Sequence, residues 1–147
     1  MKEDAIIEQA LSILETRMRK PEHYLNSPQD TKSYLKLQFE GAKAESFRVM
    51  FLDSQHGLID CKEMFTGTID GAAVYPREIV RQTLECNAAA VVFAHNHPSG
   101  ICEPSVSDRQ LTERLTQALK LIDVRVLDHI IVGGARSVSF AERGIMP

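Results

Sequence analysis

The sequence predicts a compact α/β domain, a mixed β-sheet with helices packed against it. Three observations lead there. Helical apolar spacing alternates with strand patterns along the 147 residues, in the order helix, helix, hairpin, helix, strand, helix, two strands. The run from Ala88 to Ala94 is apolar on both faces, which suits a central strand covered on both sides. A hydrophobic content of 44% with 25% charged residues is ordinary for a globular chain. A chain of this length buries about 70% of its unfolded surface. We divide it into an N-terminal packing helix, residues 1–26, and a main domain, residues 27–147, forming one globular unit overall.

Each element has its own warrant. Residues 4–19 carry Ile7, Leu11, Leu14 and Met18 at helical spacing, with Ile6, Ala10 and Ile13 widening the stripe, and Pro21 ends the run. A second helix starts with Ser27 as cap and Pro28 at its first position, and Gly41 closes it. Residues 45–52 alternate, with Glu45, Phe47, Val49 and Phe51 on one face. The turn from Asp53 to Gly57 leads into a partner strand ending near Thr68, and His56 is read as a solvated turn residue. Pro76 opens a helix to about Asn87, with Ile79, Val80, Thr83 and Leu84 inward. Ser105 or Ser107 caps a helix to about Ile122, whose stripe includes Leu111, Leu115 and Leu119. Val124–Val132 and Arg136–Phe140 are strands joined by Gly133-Gly134.

Composition bounds the function. The net charge is −3, with Lys and Arg spread along the chain, so nothing in the balance demands a nucleic acid. The N-terminus has no long apolar core, and no run approaches a membrane span. Cys61, Cys86 and Cys102 are odd in number and form no Cys-x-x-Cys pair, which fits reduced thiols in a cytoplasm.

The chemistry concentrates at His95-Asn96-His97. Residues two apart on a strand point the same way, so both imidazoles project from one face. Asp108 follows, and two neutral imidazoles with one carboxylate supply three ligands to Zn²⁺ while leaving a fourth position for water. The competing reading is a strand end with two solvated rings, and a helix cap for Ser105 with Asp108. Cys102, inside the loop, is a minor candidate for a fourth ligand. Asp128 and His129, within an apolar run, are either partners of the metal ligands or locally satisfied buried groups.

The spacing His-x-His, seven residues, Ser, two residues, Asp resembles the metal motif of the JAMM (JAB/MPN) metalloprotease superfamily. The string HNHPSG, then Glu103-Pro104-Ser105 and Ser107-Asp108, resembles its bacterial RadC-like branch. Further RadC-like pieces are Glu45, FTGTID, VYPRE, LDHIIVG and FAERG. The resemblance implies a JAMM/MPN-like mixed sheet with cytidine-deaminase-like architecture. It implies a zinc-dependent peptidase or isopeptidase in which His95, His97 and Asp108 hold the metal. It assigns Ser105 to the oxyanion and Glu45 to the role of base, with Glu78 and Glu103 as rival carboxylates. In the deubiquitinating branch a Ser or Thr usually stands where this chain has Asn96, so a ubiquitin-like partner is not implied. Larger RadC-like proteins carry a helix-hairpin-helix segment upstream. Residues 1–26 lack its Gly-containing hairpin, and DNA binding by that route is not expected.

The expected partner is therefore a peptide or protein substrate, with no membrane involvement; oligomeric state is left open. Two other readings stand beside it. One is a metal-bearing interaction module in DNA repair or mobile-element biology. The other is a metal-dependent nuclease, which wants basic residues near the metal, Arg77 and Arg109 being the candidates. A nucleobase deaminase is disfavoured because Pro-Cys-x-x-Cys is absent.

Overall fold

The computed structural model describes residues 2–21, 23, 27–67 and 74–147. Its elements are α1 (Lys2–Met18), α2 (Pro28–Gln38), β1 (Ser46–Leu52), β2 (Leu58–Thr66), α3 (Pro76–Glu85), β3 (Ala90–Asn96), α4 (Val106–Lys120), β4 (Arg125–Gly133) and β5 (Arg136–Ser139). The strands form one mixed sheet in the order β2-β1-β3-β4-β5. Only β3 and β4 run parallel, and α4 makes the crossover between them. This is the α/β architecture the sequence predicts.

The central strand carries the logic of the fold. Every residue of β3 is buried. Ala90, Val92 and Ala94 face a core that includes Leu14, Met18, Tyr34 and Leu35 from α1 and α2. Val91 and Phe93 face the opposite core, with Ile79 from α3 and Leu111, Leu115 and Leu119 from α4. Burying apolar side chains stabilises by roughly 25 cal/mol per Å², so coverage on both faces is what keeps β3 at the centre.

Several local expectations are corrected. Ile6 and Ile13 are exposed, and only Leu14 and Met18 of α1 are buried, because α1 packs along a narrower seam than its composition suggests. Ser27 makes no side-chain cap; Pro28 starts α2 unaided. His56 is buried and sits at 2.9 Å from an Arg125 guanidinium nitrogen, so it is not a solvated turn residue. Leu84 is exposed because α3 turns it outward past Thr83. β1 begins at Ser46, one residue later than expected, and β5 ends at Ser139. Residue 26, where the sequence places the domain boundary, and Thr68, the expected end of β2, lie outside the described residues. Among the described residues no helix is long and apolar enough to cross a membrane.

Candidate metal centre

His95 is the penultimate residue of β3, two positions beyond Phe93, so its ring emerges on the α4 side of the sheet. His97 lies just past the strand, where its backbone N–H still donates to the Val132 carbonyl at 2.8 Å. Its Nδ1–H donates to the Ile101 carbonyl at 2.7 Å, which turns Nε2 toward His95. The loop after it lies tight against β4. A Cβ on Gly133 would stand 2.9 Å from the Gly100 carbonyl oxygen and 3.0 Å from Cys102 Cβ. That close approach requires glycine.

The loop delivers Ser105 as the cap of α4. Ser105 Oγ accepts from the Asp108 N–H at 3.0 Å, and Asp108 Oδ2 accepts from the Ser105 N–H at 2.8 Å. The capping box and the metal reading compete in the sequence, yet here they coincide. While capping, Asp108 holds Oδ1 at 3.1 Å from His95 Nε2 and Oδ2 at 3.2 Å from His97 Nε2. The two Nε2 atoms are 2.9 Å apart. Zinc ligands at 2.0–2.1 Å in a tetrahedron stand about 3.3 Å from one another, so these three donors need move little to hold one ion. The donor set, two imidazoles and a carboxylate, fits zinc.

Electrostatics keep the cluster polarised. Burial works against ionisation of Asp108, but the imidazoles of His95 and His97 and the Ser105 backbone N–H beside it hold its carboxyl well below the usual carboxylate range. The Asp108 hydrogen bond raises His97 against the opposing effect of burial.

An open cleft of about 370 Å³ is lined by Glu45, His97, Ser99, Ser105 and Asp108, together with part of the loop. The chain matches the family described as RadC-like JAB domain over residues 25–145. It belongs to that family. Similar proteins include a UPF0758 protein of Vibrio cholerae, 53% identical over 97% of this chain and 89% of its own length. A UPF0758 protein of Marinobacter nauticus is 51% identical over 97% of this chain and 63% of its own length. One from Aeromonas hydrophila is 56% identical over 82% of this chain and 54% of its own length. The chain thus spans nearly all of the first relative and between about half and two thirds of the others.

In this RadC-like JAB domain, Glu45 precedes β1 yet is held as firmly as a strand residue. Asn96 Oδ1 accepts from the Ser46 N–H at 2.7 Å, and Asn96 Nδ2 donates to the Ala44 carbonyl at 3.1 Å. The Glu45 carbonyl accepts from the Gly67 N–H at 2.8 Å. Asn96, between the two histidines, therefore ties down the backbone on both sides of Glu45. The rival carboxylates are ion-paired: Glu78 with Arg81 at 2.6 Å, away from the cleft, and Glu103, which also lines the cleft, with Arg143 at 2.7 Å.

Other residues singled out in the sequence fall away from the cluster. Cys102 is not in the His95–His97–Asp108 group. Arg77 packs over the Tyr75 ring, and neither it nor Arg109 lines the cleft. Asp128 accepts from Ser139 Oγ at 2.6 Å and the Ala141 N–H at 2.9 Å, ordering the chain beyond β5. His129 instead meets His95 at 2.7 Å. Sequence reasoning missed a groove of about 580 Å³ that shares Ile101 and Glu103 with the metal cleft and is lined by Lys32, Lys36, Arg136 and Arg143. Those cations come from distant segments, so no run of sequence announces the groove.

Proposed function

We propose that this RadC-like JAB domain is a zinc-dependent peptidase or isopeptidase that hydrolyses an amide bond with an activated water. The observation that carries the reading is a group of three metal donors, two of which, His97 and Asp108, line one open cleft with Glu45 and Ser105 while His95 is buried behind them. His95, His97 and Asp108 would hold the ion. Zinc, when bound, lowers the pKa of water to roughly 7 and polarises a carbonyl. Glu45 accepts the proton of the attacking water and passes it to the departing amine nitrogen. Ser105 uses its oxygen to cap α4, and its hydroxyl proton serves the oxyanion that forms as the carbonyl carbon becomes tetrahedral. The substrate is a peptide or protein.

One second reading, a metal-dependent nuclease, draws on Lys36 and Arg136 in the groove beside the loop, where Lys32 and Arg143 already pair with Glu142 and Glu103, because phosphodiesters are anionic. Both readings are tested together. Zinc-loaded protein is incubated with a peptide library and, separately, with single- and double-stranded DNA and RNA. Peptide cleavage that disappears in Asp108→Ala is expected. Nucleic-acid cutting that disappears in the same variant, with peptides untouched, would reverse the assignment.

A further inference from the structure

His129 is fully buried in an aromatic box. The Phe140 ring stacks on it with centroids 4.6 Å apart, while Phe47 and Phe93 present edges at 5.8 and 6.0 Å. Such a box disfavours a cation, so the imidazole carries a single proton. Among the described residues its ring nitrogens have two hydrogen-bond partners: Thr112 Oγ1 at Nδ1 and His95 Nδ1 at Nε2.

The direction of each bond can be followed from one fixed point. Thr112 Oγ1 lies 2.8 Å from the Asp108 carbonyl oxygen, four residues back on α4. A carbonyl only accepts, so the one hydroxyl proton of Thr112 is spent there. The hydroxyl must then accept from His129, which places the His129 proton on Nδ1. His129 Nε2 is left with its lone pair and accepts from His95 Nδ1–H. His95 Nε2 is then unprotonated, and it is this atom that faces His97 and Asp108 at 2.9 and 3.1 Å.

We propose that Thr112 and His129 are positioning residues that lock His95 in the tautomer a metal requires, by relaying one hydrogen-bond direction from the Asp108 backbone carbonyl to the His95 ring. The lock has something to oppose. The Asp108 carboxylate beside His95 Nε2 would by itself draw a proton onto that nitrogen and close the coordination position. The circuit begins and ends on Asp108, so the residue that supplies the carboxylate also supplies the carbonyl that keeps His95 open.

The fold goes out of its way to build this. Between Val91 and Val92 the β3–β4 register slips by one residue, pairing Val91 with Val126 but Val92 with Asp128. With that extra residue, Val126 and His129 reach the same core although they are three apart. Without the slip, strand alternation would turn His129 toward the α1–α2 side and leave His95 Nδ1 unpartnered.

The inference rests on the metal reading but not on catalysis, and its test reads metal and protons, not turnover. Zinc affinity is measured by chelator competition for wild type, Thr112→Val and Thr112→Ser. Removing such an outer partner typically costs 10–100-fold in metal affinity, and that loss is expected for Val. Ser keeps the hydroxyl and should restore nearly wild-type affinity. Equal affinity for Val and wild type, or equal loss in Val and Ser, overturns the proposal. If Thr112→Val does not fold, ¹⁵N shifts of the wild-type histidines decide the matter. His129 protonated at Nδ1, in metal-free and zinc-loaded protein alike, supports the relay, and His129 protonated at Nε2 overturns it. A wild-type chain that takes up no zinc defeats the metal reading, while the His129 tautomer still reports on the relay.

Discussion

The two faces of the sheet bury polar groups to opposite ends. On the α1–α2 face, burial silences them. Tyr34 is 1% exposed, and burial pushes its hydroxyl well above its ordinary range while Glu15 and Gln38 satisfy it. Burial likewise pushes the Cys61 thiol up to about 11, against the opposing pull of Arg48. On the α3–α4 face burial as deep as that of Tyr34 accompanies groups whose partners fix their charge and proton positions: Asp108, His95 and His129. The difference lies in what arrives at the end of β3. There the first two turns of α4 bring a capping carboxylate against His95 and His97 and a back-bonded threonine against His129. Depth alone neutralises; depth with fixed partners makes a site.

The largest effect that would sharpen the contrast is at Glu45. It lines the cleft without belonging to the ligand group, so Glu45→Gln should keep zinc and fold while turnover falls about 10²–10⁴-fold, the usual cost of losing a general base. Zinc content by elemental analysis and melting temperature accompany the assay. Near wild-type turnover on a substrate cleaved only by zinc-loaded protein would remove Glu45 from the reaction.

The opposite face should answer in the opposite way. Leu35 is fully buried against α1 and the sheet. Leu35→Ala should lower unfolding free energy by about 2–5 kcal/mol through the cavity it leaves. Zinc stoichiometry and turnover per folded molecule should stay within about twofold, since distant sites act nearly independently. A metal-binding defect at constant folded fraction would show that the two faces are coupled, which the comparison denies.

Much of this division was legible in the sequence. The both-faces-apolar run of β3, the His-x-His spacing and the Ser105–Asp108 pair carry local signals, and local signals survive folding. The edges of elements were less legible: Glu45 alternates with Phe47, but hydrogen bonds between its neighbours Ser46 and Ala44 and the side chain of Asn96, distant in sequence, decide where it is held. His56, Leu84 and Ile13 were misplaced because exposure depends on which neighbour covers a turn or a helix flank. The choice between Asp128 and His129 stayed open for a sharper reason. A one-residue slip in strand register sends adjacent side chains to different neighbours, and no periodicity encodes the slip. The basic groove was invisible because its cations meet only in space.

The smallest predicted effect tests whether the α1–α2 face is as silent as it looks. Cys61 sits on β2, half-buried against that core, and packs near Tyr34 and Arg48. The thiolate is the reactive form, so a pKa of about 11 in place of 9.0 leaves about 100-fold less of it near pH 8. Iodoacetamide should therefore label Cys61 about 100-fold more slowly in folded than in denatured protein at that pH, read peptide by peptide by mass spectrometry. The folded rate should climb about tenfold per pH unit toward 11, whereas the denatured rate levels off near 9. Linkage gives the same sign for stability. The raised thiol contributes fully below the unfolded pKa, and that contribution is lost as pH rises toward the folded one, because the unfolded chain ionises first. Simple steric shielding would slow labelling at every pH by the same factor. Folded and denatured profiles of identical shape would thus show that the face protects Cys61 by covering it, with no silencing of its chemistry.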